Sequence, residues 1–99
     1  MLTIQQIKTT VADYFKDKPV KNVYLFGSFA RGEAKENSDV DLLVEYDDSK
    51  KLVSMFDTLR FQIGLEEKFK RKVELVEEEI TSQRFKNNIS KDKIQIFSA

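Results

Sequence analysis

The chain has 99 residues, 40% of them apolar and including eight Phe and three Tyr, which supports one modest core and argues against disorder. Seventeen Lys and Arg balance seventeen Asp and Glu, so the basic excess of a protein that lives on a nucleic-acid backbone is missing. With no Cys and no His, disulfides, thiolate or imidazole zinc sites, cysteine nucleophiles and the Ser-His-Asp triad are excluded, and any acid–base or metal work falls to carboxylates.

Thr3 is placed to cap a helix, with Gln6 as its capping-box partner, and Ile4, Ile7, Val11, Tyr14 and Phe15 then recur on one helical face. Pro19 ends that helix, because the residue before proline avoids helical geometry. Residues 23–26, Val-Tyr-Leu-Phe, read as a first strand closed by Gly27. Residues 28–38 are a polar loop with one helical turn. A second strand spans 39–45, where the unbroken run Leu42, Leu43, Val44 calls for cover on both faces.

A long helix is predicted from Asp48 or Ser49, with Leu52, Met55, Phe56, Leu59, Ile63 and Phe69 toward the core and Gly64 interrupting it at a kink. A third strand follows over 72–76. A helix then spans 80–89, with Glu77, Glu78 and Glu79 near its positive end, and a closing strand covers 94–97. The fold class is α/β (α+β): a single domain over 1–99 with a small mixed sheet of three or four strands covered by helices. No apolar run approaches the roughly 20 residues of a membrane span, and no signal peptide opens the chain, so a cytoplasmic protein with no membrane partner is expected.

The chemistry concentrates where the first strand ends and the second begins. Asp39 and Asp41 alternate along a strand and share one face, so their carboxylates converge on a common point. Oxygen ligands of that kind suit Mg²⁺ far better than zinc, and two Mg²⁺ about 3.5–4 Å apart can clamp an in-line phosphoryl displacement. Gly27 lets the backbone approach a ligand closely, and Ser28 offers a hydroxyl and an N–H to a phosphate, unless it serves only as a helix N-cap. Arg31 and Lys35 are candidate phosphate cations in the same loop, although Arg31 can instead pair with Glu33 or Glu36 on the surface. Glu45 lies too far along the strand for the same metal and reads as structural. Lys68, Lys70, Arg71 and Lys72 read as cations meeting a helix C-terminus rather than as a nucleic-acid surface.

Gly27-Ser28, ten residues, then Asp39-Val40-Asp41 resembles the signature of the DNA polymerase beta-like nucleotidyltransferase superfamily. The wider stretch GSFARGEAKENSDVDLLVE, residues 27–45, is similar to its minimal nucleotidyltransferase (MNT) branch, and the likeness covers nearly the whole chain. The resemblance implies that Gly27 and Ser28 contact a nucleotide triphosphate and that Asp39 and Asp41 bind metal, with two Mg²⁺ and ATP expected. It also implies a third carboxylate on the next strand, usually Asp, which binds metal and activates the attacking hydroxyl. Glu74 holds that position here, one methylene longer.

Many MNT-like proteins resemble antitoxins that neutralise a HEPN-domain ribonuclease toxin by adenylylating a tyrosine. The expected reaction is therefore transfer of AMP from ATP, with release of pyrophosphate, to a hydroxyl of a HEPN-type partner that supplies part of the site. Direct nucleic-acid binding is not expected, and a homo-oligomer is compatible with the reading. Two alternatives stay open at this point: a non-catalytic module that neutralises its partner by occlusion, and transfer to a small molecule such as an aminoglycoside.

Overall fold

The computed structural model describes residues 1–49, 52–79 and 81–99. Its elements are α1 (Ile4–Phe15), β1 (Val20–Phe26), α2 (Gly27–Arg31), β2 (Val40–Tyr46), α3 (Met55–Phe69), β3 (Val73–Glu77), α4 (Gln83–Ile89) and β4 (Ile94–Ser98). The four strands form one sheet in the order β3-β2-β1-β4. β1 runs antiparallel to both β2 and β4, whereas β2 and β3 are parallel and need the α3 crossover between them. Among the described residues no helix is long and apolar enough to cross a membrane.

Local signals set several element ends. The Thr3 hydroxyl accepts from the Gln6 N–H at 3.1 Å while the Gln6 side chain accepts from the Thr3 N–H at 2.8 Å, completing the expected capping box. The turn predicted after Gly27 is a five-residue helix, α2, stopped by Gly32 in the left-handed region at φ +75°. Its cap is Phe26, with no side-chain bond, so Ser28 sits inside the helix and is not its N-cap. α4 begins at Gln83 behind a Ser82 cap, later than predicted, and Ile80 lies outside the described residues.

Strand alternation divides the sheet into two faces. Val23 and Leu25, Val40, Leu42 and Val44, Val73 and Leu75, and Ile96 join Ile7, Val11 and Phe15 of α1 and Phe61, Leu65 and Phe69 of α3 in one core. The opposite face carries Phe26, Asp41, Leu43 and Glu74. Leu42, Leu43 and Val44 are all buried, as cover on both faces requires, and the Phe85 ring of α4 packs edge-on against Phe26 at 5.5 Å on the second face.

α3 departs from the sequence reading at its start and in its inward face. Asp47 accepts from the Ser49 N–H at 3.1 Å in a local turn, and the helix starts only at a Ser54 cap, where Ser54 and Asp57 exchange bonds of 3.0 and 3.2 Å. Leu52, Met55 and Phe56 are 80%, 79% and 76% exposed, and Leu59 and Ile63 are also exposed, so the stripe expected inside faces solvent. Phe61 and Leu65 point inward instead, and Phe69 is buried as expected.

Two sets of contacts hold that rotation. Phe61 packs edge-on against Phe15 at 5.7 Å and lies 6.2 Å from Tyr46. Gln62 and Glu66 accept from the β3 N–H groups of Leu75 and Val73 at 3.2 and 3.1 Å, capping donors on the sheet's edge strand. Phe56→Ser is therefore expected to shift stability by no more than about 0.5 kcal/mol, whereas Phe61→Ala should cost about 3–5 kcal/mol. Urea denaturation of the two variants checks the contrast, and equal losses would place the wrong face of α3 in the core. Gly64 marks no break, since α3 runs unbroken through it. A Cβ there would lie 2.3 Å from the Tyr14 hydroxyl oxygen, so this glycine makes room for the α1 tyrosine.

Candidate active site

The β1–β2–β3 register sets Phe26 opposite Asp41 and Asp41 opposite Glu74. Neighbouring strands lie about 4.8 Å apart, so the Asp41 and Glu74 carboxylates stand side by side on the second face of the sheet. Gly27 follows Phe26 directly and adopts φ +76°, a conformation that favours glycine. A Cβ at Gly27 would lie only 2.1 Å from Asp41 Oδ2. The carboxylate therefore rests on the bare α-carbon of Gly27. Sequence reasoning gave this glycine to a ligand; its near neighbour is the β2 aspartate.

Electrostatics follow from that packing. The Asp41 pKa is pushed up from 3.8 to about 6, first by burial, then by the charge of Glu74 and its nearness as a hydrogen-bonding neighbour, then by the charge of Asp39. The positive charge of Arg31 opposes the shift. Arg31 itself is tied at the surface, its Nε donating to Glu33 at 2.8 Å, so its surface-pairing alternative is the one realised. Asp39 is exposed at the entry to β2 and reaches Asp41 through its charge. Glu45 accepts from Asn22 Nδ2 at 2.7 Å, and Gln95 donates to Asn22 Oδ1 at 2.7 Å, a ladder across three strands that gives Glu45 its structural role.

One residue near the site escaped the sequence reading. Arg71 Nη1 donates to the Ser38 carbonyl at 3.2 Å, and its guanidinium lies 5.5 Å from the centre of the Phe29 ring. It thus pins the backbone immediately before Asp39, and the Val40 N–H donates to the Lys72 carbonyl at 3.0 Å beside it. Inside a run of four cations over 68–72, nothing in the sequence separates this half-buried arginine from its solvated neighbours.

Beyond Glu74 the same face opens into a cleft of about 340 Å³ lined by Glu74, Val76, Thr81, Ser82 and Phe85. Thr81 Oγ1 donates to the Glu77 carbonyl at 2.5 Å, and Ser82 Oγ accepts from the Phe85 N–H at 3.2 Å. A glycine-led turn, paired acids and an adjoining cleft thus fall in a row along one sheet face.

The family pattern for the nucleotidyltransferase domain matches residues 4–96. The chain belongs to that family. A Methanocaldococcus jannaschii protein named as a candidate protein adenylyltransferase is 36% identical over 97% of this chain and 100% of its own length. Two solved structures share the fold. One is a toxin–antitoxin pair with AMP-PNP, with a TM-score of 0.80 and 20% identity over 93% of this chain and 73% of that one. The other is tri-AMPylated Shewanella oneidensis HEPN toxin in complex with MNT antitoxin, with a TM-score of 0.75 and 18% identity over 96% of this chain and 72% of that one.

For a nucleotidyltransferase domain the donor set has the right chemistry for a hard divalent cation. Asp41 and Glu74 offer only oxygen, and two like charges in contact favour a cation between them. Among the described residues, however, no three acidic groups stand close enough to cage an ion by themselves. The structure therefore brings Asp41 and Glu74 together and leaves Asp39 exposed on the rim, so the three carboxylates do not converge on one point as the strand alternation led one to expect.

Proposed function

We propose that this nucleotidyltransferase domain transfers AMP from ATP to a tyrosine hydroxyl of a HEPN-type partner protein in the cytoplasm, releasing pyrophosphate. The observation that carries the reading is the contact of Gly27 with the Asp41 carboxylate, beside Glu74. It joins a turn suited to phosphate with paired acids suited to metal. Gly27 and Ser28 orient the triphosphate. Asp39, Asp41 and Glu74 would hold Mg²⁺, which neutralises phosphate charge and polarises the phosphorus under attack.

Glu74 takes the proton of the acceptor hydroxyl as its oxygen bonds to the α-phosphorus and the bond to the β-phosphate oxygen breaks. The names of the relatives support the same chemistry, since they include a candidate protein adenylyltransferase and an AMPylated HEPN toxin bound to an MNT antitoxin. Label transfer from α-³²P-ATP to the protein encoded beside this one tests the proposal. Label with the wild type and none with Asp39→Asn/Asp41→Asn is the expected result. Neutralisation by both proteins without any label would overturn it in favour of occlusion, a reading that the exposed apolar stripe on α3 also suits. Glu74→Gln keeps the shape but removes both the base and one ligand charge, and should lower the transfer rate about 10²–10⁴-fold.

A further inference from the structure

The cleft beyond Glu74 has no role in the chemistry described so far. We infer that it seats the ring of the acceptor: an aromatic side chain enters between Val76 and Phe85 with its hydroxyl at Glu74. The inference rests on the transfer reading above and locates its second substrate.

Position is the first argument. Glu74 belongs to the acid pair and also to the cleft wall. Phe26, Asp41 and Glu74 are register partners across β1, β2 and β3, and Gly27 follows Phe26 directly, so a triphosphate held at Gly27 and a guest at Glu74 flank Asp41 from its two sides. An in-line displacement needs the attacking oxygen and the leaving oxygen on opposite sides of the phosphorus, and this row provides that separation.

The lining is the second argument. Val76 and Phe85 make the walls apolar. Among the described lining residues, the Thr81 hydroxyl donates to the Glu77 carbonyl and Ser82 Oγ accepts from the Phe85 N–H, which leaves a single hydroxyl donor, that of Ser82, for a guest. Glu74 is the one charged group in the lining among the described residues. A guest with an apolar ring and one terminal hydroxyl matches such a lining. A nucleobase carries several donors and acceptors around its edge, and most would go unmatched there. The volume, about 340 Å³, is at the small end of ligand sites and admits one aromatic ring. Phe85 is also held in place by its edge-on contact with Phe26, at 5.5 Å and 88°, so the platform is formed before a guest arrives.

Binding can be read without turnover. The ¹⁵N-labelled chain would be titrated by NMR with N-acetyl-tyrosinamide, with N-acetyl-serinamide, and with Mg²⁺ and a non-hydrolysable ATP analogue. The expected result is that the tyrosine amide shifts the amides of Val76, Thr81 and Phe85, whereas the serine amide does not. Phe85→Ala should weaken that binding about tenfold through loss of the ring contact. Because Phe85→Ala also strips packing from Phe26, Val76→Phe serves as a second variant that fills the cleft and should abolish the shifts in a folded protein.

In the transfer assay Val76→Phe should raise the KM for the acceptor at least tenfold and leave the KM for ATP unchanged. Shifts at the cleft produced by the ATP analogue and not by the tyrosine amide would overturn the inference and make the cleft a nucleobase site. An absence of shifts with every probe would overturn it as well. A wild-type protein that transfers no AMP yet binds the tyrosine amide in the cleft defeats the transfer reading while the ring site stands.

Discussion

Gly27→Ala is expected to weaken the fold and abolish nucleotidyl transfer in a single change. The residue sits at φ +76°, where a β-carbon is strained, and that carbon would fall 2.1 Å from Asp41 Oδ2, 3.0 Å from its Cγ and 3.2 Å from its Cβ. All three clashes belong to one side chain, so relief requires Asp41 to rotate out of its place beside Glu74. Backbone strain of roughly 1–2 kcal/mol and overpacking of about 1–3 kcal/mol add, giving a loss near 3 kcal/mol. Moving the acid by a single rotamer exceeds the roughly 0.5 Å that a reacting site tolerates, so transfer should fall at least about 10²-fold.

Gly32→Ala is the matched control. Gly32 has the same backbone conformation, φ +75°, with nothing within 4 Å of the added carbon. It should lose only the strain and keep its activity. Equal losses of stability and activity in the two variants, read by urea denaturation and label transfer, would show that the collision with Asp41 has no part in the effect.

Asp41→Asn is expected to abolish transfer while stabilising the metal-free protein at neutral pH. Burial and Glu74 raise the Asp41 pKa to about 6 in the folded chain, against 3.8 for an unperturbed carboxylate. The folded state thus binds the extra proton between these values. Asp41 favours folding most below about pH 4, and that contribution disappears as the pH rises through about 6, where the ionised acid opposes Glu74. The asparagine carries no charge to desolvate, so the variant should gain on the wild type between pH 4 and 7. With the solvent screening of a half-exposed group, the gain is on the order of 1 kcal/mol.

Denaturation series in EDTA at pH 4 and pH 7 measure the effect. Replacing EDTA by Mg²⁺ should raise wild-type stability at pH 7 and leave Asp41→Asn nearly unmoved, because the cation answers the repulsion that only the wild type has. A wild type indifferent to both pH and Mg²⁺ would remove Asp41 from the set of metal ligands.

The parts of this protein that were legible in its sequence are those decided by neighbours along the chain. The Thr3–Gln6 capping box spans one helical turn, and the closely spaced bonds it promises are present. The strands around Leu25, Leu42 and Leu75 announce themselves by apolar, β-branched composition, and Gly27-Ser28 with Asp39 and Asp41 points to a candidate site through its likeness to the family signature. The face of α3 was not legible. The helix carries two apolar stripes, Met55, Phe56, Leu59 and Ile63 on one side and Phe61, Leu65 and Phe69 on the other, and helical periodicity accepts either.

What selects between them is remote in sequence: the ring of Phe15, the ring of Tyr46, and the two edge donors of β3 that Gln62 and Glu66 satisfy. Arg71 was hidden for the same reason, since its partners Ser38 and Phe29 lie more than thirty residues away. The family, and the candidate residues its signature marks, are therefore properties of the sequence by itself, because a short motif carries them. The contact of Gly27 with Asp41, the pairing of Asp41 with Glu74 and the cleft beside it were decided only by tertiary structure. Burial and charge repulsion depend on which strands become neighbours, and that follows from the packing of the whole sheet.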